Sequence, residues 1–157
     1  MNKKLIFFVV IAGFVGVFFY TALTKTAPIV IENAPEWRTV PAALDEAVRT
    51  EKYILVDVYE VGCKYCRAME REVYPDSTVR QVLDAGFIPA KIDGNSQELI
   101  TINGTSQTAQ EFAQAKGAFA FPTTMIMDSE GNVIKKRTGY MGVDELRQFM
   151  YLETSNL

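Results

Sequence analysis

Two cysteines, Cys63 and Cys66, are the whole cysteine content of this 157-residue chain, and only two residues separate them. At the start of a helix, this spacing turns the first sulfur towards solvent and places the second beneath it, close enough to form a small-ring disulfide. The first thiolate can then attack another disulfide, and the second can resolve the product. The pair therefore predicts thiol-disulfide exchange, with the Cys63–Cys66 disulfide as the redox centre and no further cofactor.

Other uses of the pair fit the sequence less well. A structural disulfide here would close a very short loop, and the stabilisation from a cross-link grows with loop length. Structural zinc usually takes four Cys or His ligands, whereas the chain has two cysteines and no histidine, so no metal site is predicted. Haem attachment requires a histidine after the second cysteine, and Arg67 stands there. Two alternatives stay open: a disulfide oxidant or isomerase, and an assembly factor whose thiolates hold Cu(I).

Local charge favours a reactive first cysteine. The N-terminus of a helix carries a partial positive charge that lowers the pKa of a thiol placed there, and Lys64 adds a formal charge beside Cys63. Asp57 interrupts the apolar run of residues 53–59, where burial would raise its pKa and let it exchange protons with Cys66. The alternative is that Asp57 has only a structural role as a cap or ion-pair partner.

The N-terminus predicts a membrane anchor. After a short tail of residues 1–4, residues 5–23 carry no charge, and as a helix they would extend roughly 28 Å, close to the hydrocarbon thickness of a bilayer. A cleaved signal peptide is the alternative, although its apolar region is usually about 7–15 residues long. Lys3 and Lys4 precede the span and Lys25 alone follows it closely. Because basic residues stay on the cytoplasmic side, we expect a single-pass protein of the bacterial inner membrane whose domain faces the periplasm.

The remaining sequence predicts a short linker, residues 24–36, and one domain, residues 37–157. The net charge of −3 argues against a nucleic-acid partner, because phosphate binding requires a basic patch. The order of elements in the domain is β-α-β-α-β-β-α, which predicts an α/β sandwich around a mixed sheet. Apolar periodicity and turn residues predict helices over residues 41–50, 63–74, 78–85, 108–116 and 143–150, strands over 53–59, 87–92, 123–127 and 133–137, and a small hairpin turning at Asn103-Gly104.

Four features in register resemble the thioredoxin superfamily over about residues 37–152. Asp57 stands six residues before Cys63, where the superfamily places a buried acid, and Cys63 and Cys66 match its redox pair. Lys91 matches the lysine that faces this acid, and Pro122 matches the cis-proline. The resemblance implies a thioredoxin-like fold, in which a mixed central sheet is flanked by helices. It also implies that Lys91 moderates the rise in the pKa of Asp57.

The cis-proline of this superfamily implies a groove beside the sulfurs in which backbone groups pair with an extended substrate. Gly62 departs from the family pattern, because a tryptophan usually precedes the first cysteine. The residues expected to line or border the groove are Pro122, Phe121, Thr123, Gly62, Lys64 and Tyr65.

Within the superfamily, the long insert before Pro122 and the tail of residues 128–141 resemble bacterial membrane-anchored periplasmic proteins of the SoxW type and the C-terminal domain of DsbD. This resemblance implies a monomer that reduces disulfides of periplasmic proteins and takes electrons from a membrane donor of the DsbD or CcdA kind. The dipeptide between the cysteines, Lys64-Tyr65, does not itself give the direction of electron flow.

Overall fold

The computed structural model describes residues 2–24 and 31–151, which fall into two compact units that divide between residues 30 and 31. The described part of the first unit contains one helix, α1 (Lys3–Thr24), which includes the whole predicted span, residues 5–23. Its stretch Lys3–Ala22 is long and apolar enough to cross a membrane, and a signal sequence has the same character. Residues 25–30 of the predicted linker lie outside the described residues, and its residues 31–36 fall in the second unit.

The elements of the second unit are α2 (Val40–Thr50), β1 (Tyr53–Tyr59), α3 (Lys64–Ala68), a π-helical turn (Met69–Val73), α4 (Ser77–Gly86), β2 (Phe87–Asp93), β3 (Leu99–Ile102), β4 (Thr105–Thr108), α5 (Ala109–Ala115), β5 (Thr123–Met127), β6 (Val133–Thr138) and α6 (Val143–Met150). Four of the strands form a mixed sheet with the order β2-β1-β5-β6. Strands β1 and β2 are parallel, whereas β5 is antiparallel to both β1 and β6; β3 and β4 form a separate hairpin.

The apolar side chains of β1 point alternately to the two faces of the sheet, as successive side chains of a strand do. Ile54, Val56 and Val58 join a core that includes residues of α2 and α5. Leu55 joins a second core that includes residues of α4 and α6. Helices therefore cover both faces of a mixed sheet, which confirms the predicted α/β fold.

Polar caps and turn residues set the limits of several elements. The Asp76 side chain accepts hydrogen bonds from two backbone N–H groups in the first turn of α4, as an N-cap does. Thr108 and Glu111 form a capping box at the start of α5. Asn103 and Gly104 both have positive φ, 51° and 78°, the conformation that a two-residue hairpin turn requires.

The helix predicted over residues 63–74 differs in its second half. Five residues of α-helix lead into the π-helical turn, where the Tyr74 N–H donates to the Met69 carbonyl oxygen at 2.9 Å. Met69, Val73 and Tyr74 are all fully or almost fully buried. The π-helical turn thus keeps three large side chains in the core. The sequence predicts a regular helix here and does not predict this turn.

Candidate redox site

The first cysteine caps the helix that carries the second. Cys63 has the extended backbone of an N-cap residue (φ −60°, ψ 119°), and the Cys66 N–H points at its sulfur at 3.1 Å. The two cysteines form a disulfide with Cα atoms 5.3 Å apart. In the reduced protein, this N–H and the helix N-terminus would stabilise a thiolate on Cys63.

The two sulfur-bearing residues differ in exposure. Cys63 is half-buried, whereas Cys66 is only 5% exposed. Gly62, directly before the pair, is exposed and has a φ of +89°, a left-handed conformation that favours glycine. The structure therefore presents the first cysteine at the surface and the second beneath it, as the spacing predicts.

The exposed dipeptide between the cysteines forms one border of the site. Lys64 and Tyr65 are both exposed, and the Tyr65 ring centroid lies 6.4 Å from that of Tyr140. Tyr140 lies in the loop that follows β6. Contact of Lys64 and Tyr65 with substrate stays a prediction.

Asp57 lies inside the sheet with 1% of its surface exposed. Its Oδ1 is buried without a hydrogen-bond partner among the residues that the structure describes. Burial raises the pKa of this carboxyl from 3.8 to about 6, although the positive charge of Lys91 acts to lower it. Asp57 can therefore gain and lose a proton close to neutral pH, which a proton acceptor in the reaction requires.

Lys91 is the register partner of Asp57 on β2, as the resemblance implies, but its ammonium group binds a different carboxylate. Lys91 Nζ lies 2.6 Å from Glu70 Oε1. It also lies 4.8 Å from the ring centroid of Tyr59 and 5.2 Å from that of Trp37, within the range of cation–π attraction. We refer to Trp37, Tyr59 and Glu70 together as the lysine cage.

Sequence reasoning missed three residues around Asp57 and Lys91: Glu70, Trp37 and Tyr74. Glu70 comes four residues after Cys66, a spacing that places it one turn further along the helix, and this was the available signal. The buried Tyr74 hydroxyl lies 3.5 Å from Thr124 Oγ1, and the Tyr74 ring meets that of Trp37 edge-on at 4.9 Å. These two contacts depend on tertiary packing and leave no local pattern.

Pro122 lies at the end of the sheet where α3 begins; we refer to α3 and the π-helical turn that continues it, residues 64–73, as the redox helix. The Phe121–Pro122 bond is cis. Val58, near the end of β1, pairs with Thr123 at the start of β5, so the loop to Cys63 and the segment at Pro122 leave the same end of the sheet. The structure thus brings the proline and the cysteine pair to one end of the sheet.

Phe121 and Thr123 are more buried than the prediction that they line a substrate groove implies. Phe121 is half-buried and packs on the core that contains Val58, where its ring occupies the space that a side chain at Gly94 would need. Thr123 is fully buried and its hydroxyl donates to the Ala120 carbonyl oxygen at 2.6 Å. Their contact with substrate stays a prediction.

Comparison with known proteins places this geometry in a family. Residues 40–152 match the thioredoxin-like domain family. No curated protein sequence matches the chain.

Several solved structures share the fold. A DsbH oxidoreductase superimposes with a TM-score of 0.60 at 16% identity, covering 82% of this chain and 92% of that chain. A thioredoxin from Thermus thermophilus superimposes with a TM-score of 0.57 at 24% identity, covering 73% of this chain and 86% of that chain. The oxidised C-terminal domain of DsbD from Neisseria meningitidis superimposes with a TM-score of 0.52 at 21% identity, covering 69% of this chain and 88% of that chain.

The family match covers most of the chain and includes the disulfide-bonded cysteine pair, the buried acid and the cis-proline. Together these features support thiol-disulfide oxidoreductase activity. The chain belongs to the thioredoxin-like family.

Proposed function

We propose that the protein is a membrane-anchored thiol-disulfide oxidoreductase that reduces disulfides of periplasmic proteins. The observation that carries this proposal is the unequal burial of the cysteine pair. Cys63 caps the redox helix at the surface, and Cys66 lies beneath it, 5% exposed and bonded to it as a disulfide. A pair arranged in this way can form a bond to a bulky substrate through one sulfur only.

The reaction transfers two electrons from the protein to the substrate. The Cys63 thiolate attacks one sulfur of the substrate disulfide, the substrate S–S bond breaks, and a mixed disulfide forms. Cys66, as a thiolate, then attacks Cys63 Sγ. The mixed disulfide breaks, the Cys63–Cys66 disulfide forms, and the substrate leaves with both of its cysteines reduced and protonated.

Cys66 must lose a proton before it can attack, and Asp57 is the group that we propose accepts it. The Asp57 carboxyl is buried, has a pKa raised to about 6 by that burial, and carries an oxygen without a described partner. Such a group can take a proton at neutral pH more readily than an exposed carboxyl, because the acceptor is the stronger base.

A dithiol donor must then reduce the Cys63–Cys66 disulfide. We propose a membrane donor of the DsbD or CcdA kind, with α1 retained as the anchor that keeps the domain beside it. The apolar length of α1 and the lysines before it support an anchor with its domain on the periplasmic side. The half-buried Cys63 then faces both the donor and the substrate in turn.

Turnover of a protein disulfide tests this activity. The full chain in detergent micelles should accelerate the reduction of insulin by dithiothreitol, followed as precipitation of the released chain. Cys63→Ser should abolish the acceleration, because the attacking thiolate is lost. Reduction no faster than with dithiothreitol alone would contradict the proposal.

A further inference from the structure

The Lys91 side chain connects the sheet to the redox helix through Glu70. Lys91 belongs to β2, and Glu70 belongs to the π-helical turn that follows the cysteine pair. Their charged groups lie 2.6 Å apart, and their side chains are 20% and 36% exposed. The short contact in a half-buried place fixes where the ammonium group lies.

The position of this ammonium group matters to Asp57. Lys91 and Asp57 are directly paired across two parallel strands, and an opposite charge within about 4–6 Å strongly favours an ionised carboxylate. The ion pair with Glu70 and the rings of Trp37 and Tyr59 hold Lys91 Nζ in the lysine cage, and Asp57 Oδ1 has no hydrogen-bond partner among the described residues. The charge of Lys91 still acts on Asp57 and lowers the pKa of its carboxyl, as does a hydrogen bond from the Tyr74 hydroxyl.

We propose that Glu70 is a positioning residue of this site: it holds the Lys91 ammonium in the lysine cage, where Lys91 forms no ion pair with Asp57, and so keeps the Asp57 carboxyl able to exchange a proton. This inference rests on the proposed function for its consequence in catalysis. The contact itself is independent of any substrate, since it lies wholly within the protein.

Few other groups near Asp57 change charge over the relevant pH range. Burial raises the pKa of Tyr74 well above its ordinary value and that of Tyr59 as well, so both phenols stay neutral. Within the described part of the chain, Lys91 and Glu70 are the charges that act on the Asp57 carboxyl. Cys66 adds a thiol only after the disulfide is reduced.

Titration of the Asp57 carboxyl by NMR tests the inference. The full chain in detergent micelles, with carbon-13 in its aspartate carboxyl groups and its disulfide intact, is titrated from pH 4 to 9; Asp57→Asn identifies the signal. Glu70→Gln should lower the Asp57 midpoint by about one pH unit or more, because Lys91 is released towards it. Glu72→Gln, an exposed neighbour in the same turn, is the matched control and should leave the midpoint unchanged.

A second background separates positioning from the simple loss of a negative charge. In Lys91→Met, Glu70→Gln should move the Asp57 midpoint by less than half as much as it does in the parent protein. Lys91→Gln serves as the background if Lys91→Met does not fold. An unchanged midpoint in Glu70→Gln, or equal shifts with and without Lys91, would overturn the inference. Because the oxidised protein is titrated without substrate, a failure of disulfide reduction would leave this result unaffected.

Discussion

Asp57 and Lys91 are direct partners on adjacent parallel strands, yet the Lys91 ammonium group binds Glu70 at 2.6 Å. The carboxyl of Asp57 is therefore buried beside a lysine without forming an ion pair with it in the described structure. Its burial cost is only partly offset, so its pKa rises to about 6. A proton-exchanging group placed in this way makes the site sensitive to pH and costs stability when it ionises.

Asp57 should make the folded protein less stable as pH rises. The carboxyl has a pKa of about 6 in the folded state against 3.8 ordinarily. Below pH 3.8 the Asp57 carboxyl is protonated in both the folded and the unfolded chain, so its ionisation does not reduce the free energy of unfolding. As pH rises to about 6, only the unfolded chain releases the proton, and stability falls. Asp57→Asn removes this loss and should raise the free energy of unfolding at pH 8 by roughly 3 kcal/mol.

Urea unfolding of the oxidised full chain in micelles at pH 4 and pH 8 measures this effect. The advantage of Asp57→Asn over the parent protein should be small at pH 4 and largest at pH 8. Asp45→Asn, which changes an exposed aspartate on α2, is the matched control and should show no such trend. An advantage of equal size at both pH values would argue against ionisation as its cause.

The two cysteines should behave differently when one is replaced. Cys66→Ser leaves the half-buried Cys63 thiol without its resolving partner, so mixed disulfides should accumulate. Cys63→Ser leaves only the buried Cys66, which should form few. Incubation with oxidised glutathione followed by intact mass measurement gives the bound fraction for each variant. Equal fractions would contradict the assignment of Cys63 as the attacking thiol.

Gly94 should be needed for the packing of Phe121. A Cβ at position 94 would collide with the Phe121 ring and lie 3.0 Å from Val58 Cγ1. Gly94→Ala should therefore destabilise the fold by about 1–3 kcal/mol, the usual cost of overpacking. In urea unfolding, Phe121→Leu should recover part of that loss, since a smaller side chain relieves the collision.

Gly86→Ala provides the matched control for this change. A Cβ there would meet no atom within 4 Å, and glycine near a helix terminus has more freedom to lose than alanine. The variant should be at least as stable as the parent protein. A double variant of Gly94→Ala and Phe121→Leu in which the two losses simply add would show that the contact does not limit packing.

The N-terminal helix should remain on the mature protein. Residues 5–23 exceed the length of a typical signal-peptide core, and α1 extends over Lys3–Thr24. Intact mass measurement of the protein extracted from bacterial membranes should therefore include residues 2–24. Release of a soluble form that begins after α1 would favour the signal-peptide alternative.

Much of the fold was predictable because local patterns determine it. The apolar run of β1, the Asn103-Gly104 turn and the capping residue Asp76 each specify an element by short-range physics. The cysteine pair and Asp57 could also be recognised in the sequence. Two closely spaced thiols and a charged residue within an apolar strand both differ from the residues around them.

The surroundings of Asp57 were less predictable because they depend on contacts between distant residues. Glu70 and Lys91 are 21 residues apart in sequence, and the π-helical turn that carries Glu70 widens a helix predicted to be regular. Trp37 and Tyr74 meet only in the folded domain. The family pattern therefore predicted that Lys91 lies beside Asp57, but it did not identify the carboxylate that the lysine binds.

The reduction potential of the Cys63/Cys66 couple tests the proposed direction of electron transfer most directly. The full chain in detergent micelles is equilibrated against dithiothreitol or glutathione mixtures, and the oxidised fraction is read from the mass of alkylated protein. A reductant of periplasmic disulfides should have a potential near that of thioredoxin, about −270 mV. A value near −120 mV, that of a strong disulfide oxidant, or a pair that never cycles, would contradict the proposed function.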